Sequence, residues 1–175
     1  EDFEPVLESA LALKTRVIRI WAGRSAPGDT DPGARRRIAE ASAALAERAA
    51  KHGVQIAYEF HRGTLTETAE STIELLRAAD HPNLYTYWQP PYWMPDRAER
   101  ISELAPLADR ILHFHVFHWV YDPSAESPGN AIDRRPLAEG DGEWPAILSA
   151  LSPNEYRFAL LEFVRDDDPA LLAED

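Results

Sequence analysis

Short apolar runs alternate with longer amphipathic stretches from one end of this chain to the other, and that rhythm leaves few folds open. Parallel strands joined by crossover helices produce it, because each strand must be followed by a connection long enough to return to the same sheet edge. The runs are "RVIRIWAG" (Arg16 to Gly23), "VQIAYEF" (Val54 to Phe60), "LYTYWQ" (Leu84 to Gln89), "ILHFHVFHW" (Ile111 to Trp119) and "YRFALLEFV" (Tyr156 to Val164). Helices are predicted over Asp2 to Thr15, from Asp31 and Pro32 to about His52, after a capping box at Thr64 and Glu67, over Asp96 to Asp109, and over Trp144 to Leu151. Tyr121 to Gly142, rich in Pro, Gly and Asp, reads as a long loop of the kind that carries function. The class is α/β, in one domain.

Composition narrows the chemistry. The formal charge of -12 repels phosphate backbones, and only Arg35 to Arg37 cluster against it, so nucleic acid is not an expected partner. With no cysteine, any metal must take oxygen and nitrogen ligands. No apolar run is long enough for a membrane span, and "EDFEPVLE" lacks the charge pattern of a signal peptide, so the expectation is a cytoplasmic protein with no membrane partner. The start without Met and the ending on "DDDPALLAED", where a new helix begins, read as trimming at both ends.

Alternation along a strand sorts its residues onto two faces. In "VQIAYEFH" one face carries Val54, Ile56, Tyr58 and Phe60, and the other Gln55, Ala57, Glu59 and His61. The second face is too polar to pack against helices. His113, His115 and Phe117 share a face of the fourth run, and Glu162 shares one with Leu160 and Val164. Glu59, His115 and Glu162 all fall late in their strands, where a parallel barrel builds its active site. Two carboxylates and an imidazole meeting at one rim are mutually satisfied by a divalent ion. Singly, each Glu also reads as a solvated rim residue or an ion-pair partner of Arg19 or Arg16. His113 reads equally as a core histidine or as support for His115. His118 has the wrong parity and suits a loop, His52 and His81 sit at helix ends, and the aromatics of "YTYWQPPYW" suit either packing or stacking on a sugar ring.

Four of these segments together resemble the xylose isomerase-like TIM barrels, the sugar phosphate isomerase/epimerase superfamily. "IAYEFHRGTLTET" is similar to its fourth strand with Glu-x-His, and "ILHFHVFHW" to its sixth strand with His-x-His. "RRPLAEGDGEWPAIL" resembles the segment before the helix that precedes the final strand, and "ALLEFV" that strand with its metal-binding Glu. The resemblance implies an incomplete (β/α) TIM-type barrel, about strands 3 to 8, as a single domain over residues 1–175. The first two strands are either cut away or supplied by a partner.

Carried over, it makes Glu59, His115 and Glu162 metal ligands, with Glu59 and Glu162 also catalytic. Gln89 stands where the family has an Asp ligand, and Tyr92 where it has a loop His. His61, Trp88, Tyr92 and Arg135, with Arg134 as rival, are implied substrate contacts, and His113 supports His115. The implied cofactor is Mn²⁺, Mg²⁺, Co²⁺ or Zn²⁺, and the implied partners are a small-molecule sugar or polyol and a second copy of the chain in a homo-oligomer. The implied reaction is isomerisation or epimerisation of a sugar, sugar acid or polyol by proton transfer next to a carbonyl, with dehydration also known in the superfamily. Because Gln brings no charge, the alternative is a non-catalytic sugar-binding or regulatory barrel. An apurinic endonuclease of the same fold needs more His and Asp ligands than this chain supplies.

Overall fold

The computed structural model describes residues 2–121, 132–140, 142–151, 157–164 and 168–173. Five parallel strands, β1 (Val17–Ile20), β2 (Gln55–Glu59), β3 (Leu84–Trp88), β4 (Ile111–Val116) and β7 (Ala159–Leu161), lie side by side in the order β1-β2-β3-β4-β7. The sheet curls as part of a barrel wall without closing, so β1 and β7 are edges. It is an incomplete TIM-type barrel.

Helices cover its outer face. Asp2 caps α1 (Phe3–Ala12) by accepting from the Glu4 N–H, and Asp31 caps α2 (Pro32–Ala50) by accepting from Ala34, with Pro32 in the first turn. The buried side of α2 is Ala39, Ser42, Ala46 and Ala49, small residues that let the helix lie close to β2. Gly53, at φ +69°, turns the chain into β2. The side of the core under α2 gathers Ile18, Ile56, Tyr58, Leu75 and Leu84. A second cluster, Phe60, Trp88, Leu104, Leu107, Ile111, Phe114 and Ile147, fills the side under the later helices.

Four features differ from the sequence reading. The capping box belongs to Thr68 and Ser71 at the start of α3 (Ala69–Ala79), because Thr64 and Thr66 are fully buried and spend their hydroxyls on each other and on the loop backbone. The helix after Asp96 is α4 (Arg97–Ser102), followed by a 3₁₀ stretch, Ala105–Arg110, which Pro106 favours by removing an α-helical donor. The fourth run breaks at Phe117. His118 therefore sits in a strand: β5 (His118–Tyr121) pairs antiparallel with β6 (Ile132–Arg135), so the predicted long loop contains a two-stranded ribbon. Residues 122–131 of that loop, and Tyr156 at the start of the predicted last strand, lie outside the described residues.

α5 (Glu143–Ser149) leads toward β7, and the final described segment, Pro169–Ala173, is a 3₁₀ turn. Among the described residues no helix is long and apolar enough to cross a membrane.

Candidate metal centre

The inner face of the sheet carries the polar residues that parity assigned to it. Register aligns Arg19 with Ala57, Glu59 with Tyr87, Tyr87 with His113, and His115 with Leu160. Glu59 is 2% exposed at the end of β2, and its carboxylate is held by Arg19 on one side and faces His115 on the other. Arg19 Nη1 donates to Oε2 at 2.6 Å, while Oε1 lies 3.4 Å from His115 Nδ1. Glu162 follows β7 directly, its N–H bonded to the Val116 carbonyl, and its Oε2 comes within 3.2 Å of the same Nδ1. One donor atom each from Glu59, His115 and Glu162 lies within 4.8 Å of the others, so three residues distant in sequence share one mouth at the C-terminal strand ends.

The close contacts lack hydrogen-bond alignment. His115 Nδ1 and Glu162 Oε2 are both buried without a hydrogen-bond partner, and so is Gln89 Oε1. Buried lone pairs left unmatched cost free energy. Two carboxylates and an imidazole nitrogen form a donor set that a hard or borderline divalent ion satisfies, so the residues present fit such an ion. Gln89 is 1% exposed and donates from Nε2 to the Phe60 carbonyl at 2.8 Å, which fixes its amide and leaves Oε1 as a buried acceptor without a hydrogen-bond partner. Alternation places it on the same face as Tyr87, one step nearer the mouth.

Other residues expected at the site fall differently. His61 stacks on Trp21 at 4.5 Å between centroids, and its Nδ1 lies 2.7 Å from the Arg62 carbonyl. A carbonyl only accepts, so Nδ1 carries the hydrogen in that bond. Tyr92 packs edge-on against Phe163, Phe117 and Trp119. Burial raises its phenol above the usual range, helped by Glu162 and Glu59 and opposed by Arg62 and Arg134, which places Tyr92 close to the acidic pair. Trp88 takes no place there: it is fully buried among Phe60 and Phe114 on the helix-covered face, because alternation gives the inner position to Tyr87.

The two arginines lie on opposite faces of the ribbon. Arg135 pairs with Asp133 and is in register with His118, whereas Arg134 is in register with Trp119 and lies over the Phe163 ring at 4.8 Å. Arg134 is thus beside Glu162's neighbour, and Arg135 faces away from it. Phe163 itself holds φ at +58°, a left-handed conformation costly for an aromatic residue, which seats its ring against Phe117 at 4.6 Å.

Sequence reasoning overlooked Trp21 and had Tyr87 only among the aromatics of "YTYWQPPYW". Tyr87 lies 4.6 Å from the His115 ring and 5.5 Å from that of His113, with its hydroxyl pushed up to about 12 by burial, against the pull of Arg19. The available signal was its two-residue step from Gln89. Trp21 has the same relation to Arg19.

His113, one layer deeper than His115, accepts from the Phe158 N–H at Nδ1, 3.1 Å away. Burial holds its imidazole below the ordinary value of 6.5, and Arg157 adds to this. An unfolded chain therefore takes up the proton first, so this histidine's contribution is complete above about pH 6.5 and declines as the pH falls below it. The expected result is that His113→Asn narrows its stability gap to the native protein between pH 7.5 and 5.5, as read by urea unfolding. A gap that stays constant or widens on acidification contradicts the assignment.

The sequence matches the family described as the xylose isomerase-like TIM barrel over residues 1–175, and the chain belongs to that family. A 3-dehydroshikimate dehydratase of Bacillus anthracis is 28% identical over 178 residues, covering 93% of this chain and 63% of that protein. This chain thus spans under two thirds of that relative's length. The crystal structure of the probable 3-DHS dehydratase AsbF, involved in petrobactin synthesis in Bacillus anthracis, matches with a TM-score of 0.73 at 24% identity, over 99% of this chain and 69% of that one. A xylose isomerase-like TIM barrel protein from Mycobacterium smegmatis, solved in complex with magnesium, matches with a TM-score of 0.74 at 16% identity, over 97% and 61%. At these identities the solved structures establish the fold.

Proposed function

We propose that this protein acts on a polyhydroxy keto acid by moving a proton at a carbon next to a carbonyl, with loss of water as the net reaction. 3-Dehydroshikimate is the first substrate to test. The observation that carries the reading is the convergence of Glu59, His115 and Glu162 at one mouth, a donor set built for a divalent ion. Such an ion, when bound, polarises a carbonyl oxygen and stabilises the negative charge that develops as the adjacent carbon loses its proton. The likeness to a dehydratase over 93% of the chain supports dehydration over the isomerisation and epimerisation that the family resemblance alone implies.

The division of labour follows from exposure. Glu59, buried and held by Arg19, would hold a divalent ion together with His115. The Glu162 side chain is 30% exposed, so it would help to hold the ion and also meet substrate, taking the proton from the carbon. Departure of the hydroxyl on the next carbon, with that proton returned to it, releases water and leaves the enzyme unchanged. Tyr92, His61 stacked on Trp21, and an arginine of the ribbon hold the substrate's hydroxyls and carboxylate. Gln89, which brings no charge, supports a second reading: a sugar-binding barrel without turnover.

The test is incubation of the purified protein with 3-dehydroshikimate and Mn²⁺ or Mg²⁺. Water loss makes the ring aromatic, so near-ultraviolet absorption appears if the proposal holds. Absence of that signal, with solvent deuterium entering a ketose or keto acid, assigns isomerase or epimerase chemistry instead. Ligand binding without either change assigns the non-catalytic reading.

A further inference from the structure

Arg19 makes an ion pair that a simple metal centre does not require. Its Nη1 sits 2.6 Å from Glu59 Oε2, on the oxygen turned away from His115, and its side chain is 44% exposed while that of Glu59 is 2% exposed. β1 delivers it to this point by register, beside Ala57 and two residues before Trp21. The site thus carries a permanent positive charge on one of its own ligands. Glu59 and Glu162 bring two negative charges, Gln89 none, and an imidazole coordinates as the neutral ring, so with Arg19 the side chains total one negative charge facing a dication. The Asp that the family resemblance places at position 89 would offset Arg19; the residue there is an uncharged Gln.

We propose that Arg19 holds down the affinity of this centre for divalent ions through its charge, so that the ion is exchangeable rather than resident. This rests on the metal-binding reading above. The effect is Coulombic and partly screened by solvent at the exposed guanidinium, so it amounts to a moderate rather than an extreme weakening.

The experiment is calorimetric titration of Mn²⁺ into the purified native protein, Arg19→Gln and Arg19→Lys, with thermal melts to verify folding. Gln keeps an N–H for Glu59 and removes the charge; Lys keeps the charge. Arg19→Gln is expected to bind Mn²⁺ at least about tenfold more tightly, which corresponds to about 1.4 kcal/mol, and Arg19→Lys to stay within about threefold of the native protein. Unchanged or weaker binding by a folded Arg19→Gln overturns the inference, because it means that Arg19 orients Glu59 for the ion instead. If none of the three proteins binds Mn²⁺ at millimolar concentration, the metal-binding reading itself falls, an outcome distinct from failure of the Arg19 argument alone.

Discussion

Glu162→Gln is expected to lower kcat for dehydration of 3-dehydroshikimate by about 10²- to 10⁴-fold, the range a positioned acid–base group supplies. The amide keeps the shape of the side chain and can still offer an oxygen to an ion, but it can neither take nor return a proton. Glu162 is only half-buried and its carboxylate makes no hydrogen bond that packing depends on, so the variant should melt within a few degrees of the native protein. Steady-state kinetics at saturating Mn²⁺ separate the roles: a fall in kcat at unchanged ion affinity marks proton transfer. A variant with native kcat removes Glu162 from the chemistry and leaves it as a ligand.

Arg100→Met is expected to destabilise the fold by about 3–5 kcal/mol, the cost of breaking a buried pair by removing one partner. Arg100 is 6% exposed, and its guanidinium ties four segments together. Nε and Nη2 hold Glu143 of α5 at 2.9 and 2.7 Å, and Nη1 donates to the Met94 and Pro95 carbonyls at 2.8 Å each. The same group lies 5.2 Å from the Trp119 ring of the ribbon. Burial works against its charge, but the bonds to Glu143 outweigh that and hold its pKa above the ordinary value. Urea unfolding measures the loss, and Arg100→Met combined with Glu143→Gln should recover a good part of it, since the second change removes the stranded carboxylate. A loss below 1 kcal/mol would show that the hub is replaceable.

Parity along the strands was enough to reach Glu59, His115 and Glu162 from sequence, because a strand's period of two is rigid and a polar residue late on the inner face has few places to go. Applied to Trp88, the same rule runs against the substrate contact that the family resemblance implies. Tryptophan near a sugar-like motif reads as a stacking platform, but position 88 falls on the outer face, and the inner position belongs to Tyr87. Thr64 and Glu67 have the spacing of a capping box, yet burial of Thr64 against Thr66 outcompetes that role and passes the cap to Thr68. The ribbon was illegible because β6 reads "IDRR", a strand whose reason to exist is pairing with β5 rather than any pattern of its own. Arg100 gave no signal either, since a lone arginine in a polar helix looks like surface until its partners are in place.

The loop after β2 holds Glu59 by its own chain. Thr66 Oγ1 donates to the Glu59 carbonyl at 2.6 Å, Thr64 Oγ1 to that of His61, and the Glu67 carboxylate accepts from the Gly63 N–H. Glu162, by contrast, hangs beyond a three-residue strand at the sheet's edge. The two acids of the centre are thus anchored unequally: a buttressed loop fixes the Glu59 side, whereas the Glu162 backbone is tied to the sheet by its N–H bond to the Val116 carbonyl.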